Sequence, residues 1–525
     1  MQRIEALLRV PEPILLGVLS MNRMAWVLLG SVMVVGTLLW LMNDAASDKS
    51  VMDKQGNKTE PLLLFCAASN QGAMESIRAD YEREFRRSIQ IQYGGSQTLL
   101  SSIEVSETGD LYLPADDSYI ELGRKKRLLS EVLPLATMRG VVAVRRGNPK
   151  GVHTFADLMR KDLRVVQSSP DSSAIGKLTR EVLSERNLWA GLEGATATFR
   201  TTVTDVANDL VVGSADAGIV YDAVLKSYPD LESIELAELD GLVSHVSLSV
   251  LAGSKQPQAA LHFARFVAAR DRGLKNYAAH GFQVLNGDVW SEVPELSIFA
   301  GSMLRPAIEE SLVDFEKREG VRVTRVYNGC GILVAQMKAG QHPDAYFACD
   351  REFMQQVPDL FPKPVDVSTN QLVILVQKGN PLGIESLRDL GKKGVRVGVG
   401  HEKQCAMGWL TQNTIRQAGL QREVMENVTV QTPTGDLLVN QLRAGSLDAA
   451  VAYLSNAAGA ADYLDAIRIQ GLSCSVATQP FAVAEGSPHA QLAERLFLKL
   501  CSAESQEIFL DEGFQWQDPK PSDRN

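Results

Sequence analysis

Two serines stand where strands give way to helices. Ser69 follows the apolar run LLLFCAA and precedes a helical stretch that begins near Met74, and Ser96 follows IQIQYGG and precedes another, residues 98–105. A hydroxyl in such a place can simply cap the helix. The start of a helix also offers unpaired backbone N–H groups and the positive end of a dipole, which together attract anions. Two such ends meeting at one cleft would hold an anion with no Lys or Arg. That chemistry is capture by neutral donors, and it needs neither proton transfer nor a nucleophile.

The other reactive side chains are less telling. Five of the six cysteines fall late in the chain, at Cys330, Cys349, Cys405, Cys474 and Cys501. No spacing among them and the seven histidines reads as a zinc site. His401 and Cys405 are four apart, but the intervening residues read as a loop before a helix. Asp110, Asp116, Asp344 and Asp350 recur in pairs and are expected to be strand-end and turn residues. Neither a G-x-S-x-G elbow nor a phosphate-binding P-loop occurs. No catalytic residue, metal site or cofactor is expected.

The elements that position these residues occur twice. Asn148-Pro149 recurs as Asn380-Pro381, Asp157-Leu158 as Asp389-Leu390, Gly213 as Gly445, Tyr221 as Tyr453 and Gly281-Phe282 as Gly513-Phe514, all at one offset of 380 − 148 = 232. Near the starts the offset drifts by one or two residues, and Ser69 is paired with Ser302 and Gly95 with Gly329. Repeats of this length are whole domains rather than solenoid units. Within each, short apolar runs alternate with helical stretches. In the first these are residues 62–67 (strand), 74–85 (helix), 89–93 (strand), 141–144 (strand), 155–159 (helix), 164–167 (strand), 175–186 (helix) and 217–220 (strand). The first copy closes with a helical stretch over 258–280, and the second runs from the strand 296–299 to a helix over 490–510. Such alternation predicts mostly parallel sheets covered on both faces, and each copy is long enough for two α/β lobes with a cleft between.

A net charge of −10 excludes the usual basic surface of a nucleic-acid binder but not an uncharged anion site. Residues 24–42 (MAWVLLGSVMVVGTLLWLM) contain no charge and match the length of a membrane-crossing helix. Arg3, Arg9 and Arg23 precede them and Asp44 and Asp48 follow, so the N-terminus is expected in the cytoplasm and the bulk of the chain outside. A cleaved signal peptide, with its start at Met21 and its cut near Ala45-Ala46, is the alternative. The expected divisions are a cytoplasmic segment 1–23, an anchor 24–42, a linker 43–60, binding domains 61–292 and 293–517, and a tail 518–525.

The stretches FCAASNQGAMESIRADYEREF, IQYGGSQTLLSSI and GDLYLPADDSYIELG, in that order and spacing, resemble the periplasmic molybdate-binding proteins of ABC transporters. The likeness covers both copies. It implies two tandem type II periplasmic-binding domains, each of two α/β lobes with a central cleft, after the N-terminal transmembrane helix. The ligand it implies is a tetrahedral oxyanion, molybdate or tungstate, delivered to an ABC permease after lobe closure. Carried over by position, the first copy would use Ser69, Ser96, backbone N–H groups near Ser173-Ala174 and Val203, and the hydroxyl of Tyr221. The second would use Ser302, Cys330, Cys405-Ala406, the Thr434-Gly435 turn and Tyr453. Each Tyr could instead be strand-end packing.

The copies are unequal, because a thiol at Cys330 replaces the Ser96 hydroxyl and a thiol is a weak donor. Three readings stay open for the second cleft: a Cys330–Cys405 disulfide, a soft-metal site, or small buried residues without special chemistry. For the whole chain the competing functions are a binding protein feeding a permease, a sensor or scaffold whose second domain is structural or binds a soft metal, and, least favoured, an enzyme.

Overall fold

The computed structural model describes residues 51–52 and 58–519. Residues 24–42 lie outside this range, and so does most of the linker before the first domain. Among the described residues no helix is long and apolar enough to cross a membrane. Val51–Met52 and Lys58–Thr59 pair as a small antiparallel ribbon. Everything from Pro61 onward forms one compact unit, built on two ten-stranded sheets with the same strand order.

In the first sheet Leu62–Ala67 lies between Ile89–Gly94 and Leu111–Leu113, parallel to both. Helices Gln71–Phe85 and Ser96–Ser106 make the crossovers that parallel neighbours require. A second parallel set joins Val165–Ser168 to Thr196–Arg200 and Ala217–Tyr221. The strand Leu129–Arg145 runs through both sets. As far as Arg139 it pairs with Val243–Leu251, and from Gly140 to Val144 with Ala217–Tyr221, in both cases antiparallel. This strand makes two lobes of one sheet and the sheet mixed, where mostly parallel pairing was expected. Alternating apolar runs announce crossovers but not the direction of a strand that returns through the middle.

The second sheet repeats the plan. Glu295–Gly301 pairs in parallel with Arg322–Asn328 and Ala345–Phe347. Val365–Gln377 is the shared strand, pairing with Val476–Val483 in one lobe and Ala449–Tyr453 in the other. Each copy has its own buried cluster, Leu64, Phe65, Ile77 and Leu113 in one and Ile298, Phe299, Ile308 and Phe347 in the other.

Helix boundaries move from their expected places in ways that matter for chemistry. Ser96 is the first residue of its helix and Gly95 the cap. Ser69 lies in a short 3-10 turn, Ala68–Asn70, that leads into Gln71–Phe85. Neither serine caps a helix, so the capping alternative falls. The closing stretch of each copy is two helices, Pro257–Ala268 with Gly273–Ala279 and Ala490–Leu500 with Ala503–Asp511.

Candidate functional site

Strand ends deliver the first-copy residues to a single point. Ser69, Ser96, Ser173, Ala174, Val203 and Tyr221 all line one cavity at the junction of the two lobes. It encloses about 20 Å³, a little more than the ~10–15 Å³ one water needs on the same measure. The space suits one compact ion. No Lys, Arg, Asp or Glu is among its lining residues.

What faces the cavity is a set of donors. The Ser69 hydroxyl is buried and has no partner. The Ser96 Oγ accepts the Ala115 N–H at 3.1 Å, which leaves its own proton free. Three helices of ten to twelve residues begin here, Ser96–Ser106, Ala174–Glu185 and Val203–Val212. The Ser173 side chain caps the second by accepting from Gly176 N at 3.2 Å, and Thr202 caps the third in a capping box with Asp205. These caps satisfy third-position amides and leave those of Ala174 and Val203 without intrahelical partners. Ser173 itself is committed: its hydroxyl and its N–H both donate to Ser169 O, at 3.1 and 3.0 Å. It positions the amide of Ala174 rather than offering a donor of its own.

Tyr221 closes the far side. Its hydroxyl donates to Ser244 Oγ at 3.2 Å, and Ser244 donates in turn to Ala115 O and to Asp116 Oδ2. Burial pushes the Tyr221 pKa well up, so the group stays protonated and can donate. Ser244 and Asp116 were not foreseen as a support for Tyr221. The one signal for Ser244 was a serine in each of three buried places along LVSHVSLSV, too weak to read as a site.

The lobes are shut around this cavity. Gln97 N–H donates across the cleft to Ser172 O at 3.2 Å. A Cβ on Gly95 would come within 2.5 Å of Ser172 O and 2.8 Å of Thr201 O, so glycine is the residue that permits the approach.

The second copy shuts the same way but is differently furnished. Gly331 N–H donates to Gln404 O at 3.1 Å, and Gly329 sits against the carbonyls of Gln404 and Pro433. Strand pairing sets the correspondence, because Leu64 opposes Leu111 as Ile298 opposes Ala345, an offset of 298 − 64 = 234. The turn Ala68–Asn70 therefore matches Ser302–Leu304. Ser302 stands opposite Ala68, and Met303 stands opposite Ser69, which corrects the pairing of Ser69 with Ser302. Cys330 does take the place of Ser96: its Sγ accepts the Cys349 N–H at 3.0 Å as Ser96 Oγ accepts that of Ala115.

Cys330 is joined in a disulfide to Cys349, with Cα atoms 6.3 Å apart, and not to Cys405 as one reading expected. Cys330 and Cys349 follow the strands Arg322–Asn328 and Ala345–Phe347, which flank Glu295–Gly301, whereas Cys405 sits across the cleft, and spacing along the chain gave no hint of this. Cys405 is free and buried at the N-cap of Ala406–Gln417, and burial raises its pKa to about 11. Thr434 holds the N-cap position of Gly435–Arg443 without a side-chain cap hydrogen bond, unlike Thr202 on the matching helix. The Tyr453 hydroxyl is buried without a partner. Among the described residues no group of three or more His, Cys, Asp or Glu is placed to hold a metal. His401 is used locally, its Nδ1 accepting from Lys403 N at 3.3 Å.

The recurring aspartates serve the backbone. Asp110 accepts from Leu63 N and Ser254 Oγ, and Asp344 from Ser297 N and Ser487 Oγ. Asp116 and Asp350 accept from Ser118 N and Glu352 N at the turns that follow.

The profile of a family described as bacterial extracellular solute-binding protein matches the chain twice, over residues 62–283 and 296–515. The molybdate-binding protein ModA of Mycobacterium tuberculosis is 28% identical over 242 residues, covering 46% of this chain and 90% of the relative. ModA of Escherichia coli is 27% identical over 97 residues, 18% of this chain and 37% of the relative. Among solved structures, the periplasmic molybdate-binding protein of Azotobacter vinelandii aligns over 43% of this chain and 100% of its own. Its sequence identity is 14% and its TM-score 0.37. By its two matched segments, the chain belongs to the bacterial extracellular solute-binding protein family and carries that family's domain twice in tandem.

Proposed function

We propose that the first domain captures one fully deprotonated tetrahedral dianion, molybdate or tungstate, and delivers it to an ABC permease. Residues 24–42 would anchor the chain with both domains outside the cytoplasmic membrane. The observation that carries this reading is the small cavity closed between lobes and lined by hydroxyls and helix-start amides without a charged side chain. Each hydrogen bond from such a donor to an anion is charge-assisted, so several of them can replace a cation.

The same cavity speaks against phosphate. At neutral pH phosphate keeps a proton that needs an acceptor; no carboxylate lines the cavity, and Asp116, which follows the lining residue Ala115, is turned to Ser244 and the Ser118 amide. Molybdate, tungstate and sulfate present acceptors alone, and the size of a rigid cavity is then what separates the larger anions from sulfate. The relatives named as molybdate-binding agree with the larger choice.

A thermal-shift panel tests this. Molybdate and tungstate should raise the melting temperature with the concentration dependence of RT ln(1 + [L]/Kd), about 2.7 kcal/mol at a hundredfold excess over Kd. Phosphate should leave it unchanged. The double variant Ser69→Ala, Ser96→Ala should lose the shift, with affinity down by roughly 100- to 10,000-fold if each hydroxyl is worth about 1.5–3 kcal/mol to a charged ligand. No shift with either anion, or an equal shift in the variant, would overturn the proposal.

A further inference from the structure

The second cleft carries sulfur at four positions where the first has three hydroxyls and one alanine. At the offsets fixed by strand and helix register, Ser69, Ser96, Ala115 and Ser173 of the first cavity correspond to Met303, Cys330, Cys349 and Cys405. All four sulfur residues are buried. The disulfide sulfurs lie against Gly301: a Cβ there would come 3.1 Å from Cys330 Sγ and into contact with Cys349 Sγ. Gly301 matches Ala67 of the first cavity wall, so the sulfur atoms lie against the matching wall of the second cleft. Tyr453, 2% exposed and without a partner for its hydroxyl, holds the position that Tyr221 holds over the first cavity.

Thioethers donate no hydrogen bond and thiols donate weakly, so this set cannot cage an oxyanion as the first does. Sulfur ligands are the ones that select soft monovalent cations. Cys330 and Cys349 are joined, and among the described residues no group of three or more His, Cys, Asp or Glu is placed to hold a metal in this oxidised state.

We propose that the second domain is a redox-gated site for a soft cation of the Cu(I) class, held by Cys330, Cys349 and Cys405 with the Met303 thioether beside them. A dithiol reductant opens it: two electrons and two protons pass to the Cys330–Cys349 disulfide, giving two thiols, and the reductant becomes a disulfide. The cation then displaces a proton from each thiol that ligates it. Exchange with a disulfide oxidant, which takes the two electrons and becomes a dithiol, restores the Cys330–Cys349 bond and expels the metal. This site is independent of the oxyanion reading of the first domain, since it shares no residue with it.

The test uses the full chain with Ag(I) and with Cu(I), each in competition with a chelator, before and after reduction by a dithiol. The reduced chain should take one ion per chain at least about 100-fold more tightly than the oxidised chain, with a thiolate-to-metal absorption band in the ultraviolet. C330S and C405S should each weaken binding at least about tenfold, while Cys66→Ser leaves it unchanged. C330S should keep the parent's circular dichroism spectrum and a cooperative melt of the second domain, which shows that the variant is folded. Three results overturn the proposal: no uptake after reduction, equal uptake by the oxidised chain, or full binding in both C330S and C405S.

Discussion

A hydroxyl whose oxygen already accepts a hydrogen bond from behind has its proton directed forward, and Ser96 is held this way by the Ala115 amide. Tyr221 differs, because its proton has another acceptor in Ser244 and must turn to reach a ligand. Tyr221→Phe should therefore weaken oxyanion binding less than the serine changes, by roughly 3- to 10-fold, as titration calorimetry would show. A third residue near this network affects stability rather than binding. Burial raises the Asp117 carboxyl to about 6, and one of its oxygens has no partner while the other accepts from Ser247. Between the ordinary carboxylate range and that value, the folded chain keeps a proton that the unfolded chain has lost. Stability should then fall as pH rises through this window. Asp117→Asn keeps an acceptor for Ser247 and should melt higher than the parent near about pH 7 but alike near about pH 4. Equal melting at both values would remove Asp117 from the account.

At the scale of elements, function rests on helix starts brought together by lobe closure. Gly95→Val should obstruct the approach to Ser172 O and Thr201 O and leave the domain folded but open. Oxyanion affinity should drop at least about tenfold with little change in the ligand-free melting temperature, since the substitution blocks a conformation rather than a core contact. The duplication, the alternation of strands and helices, and the places of Ser69 and Ser96 were legible in the sequence, because apolar periodicity and strand-to-helix junctions are local signals, whereas Ser173, Ala174, Val203 and Tyr221 came only from the family resemblance. What was not legible came from register and topology. A one-residue slip at the second copy's first strand exchanged Met303 for Ser302, since Ser302-Met303 offers a serine at nearly the same spacing. The Cys330–Cys349 pairing joins the ends of the two strands that flank Glu295–Gly301, a fact of the sheet and not of the spacing. The antiparallel central strands escaped for the same reason.

Across the whole molecule the two domains are joined through their first lobes. Glu319, on helix Arg305–Glu319, receives Arg495 of its own domain and Arg265 of the first, and all three side chains are buried. Arg318 reaches Glu131 at 2.7 Å, and Asp288 in the connecting segment accepts the Gln491 and Leu492 amides of the last long helix pair. The second lobes take no part in these contacts, so either cleft can open without breaking the junction. Glu319→Gln would leave two buried guanidinium groups under-paired at a cost of about 3–5 kcal/mol. Calorimetry should then show two separated melting transitions where the parent shows coupled unfolding; an unchanged trace would mean that the triad does not couple the domains.

The second cleft lacks counterparts of the Ser69 and Ser96 hydroxyls on which the proposed oxyanion site of the first depends, so the count of bound anions is the most direct measure. Titration of the oxidised chain with molybdate should saturate at one ion per chain, and Ser69→Ala with Ser96→Ala should abolish that ion. Saturation at two ions per chain, or binding that survives the double substitution, would contradict the claim that the first cavity alone holds the ligand.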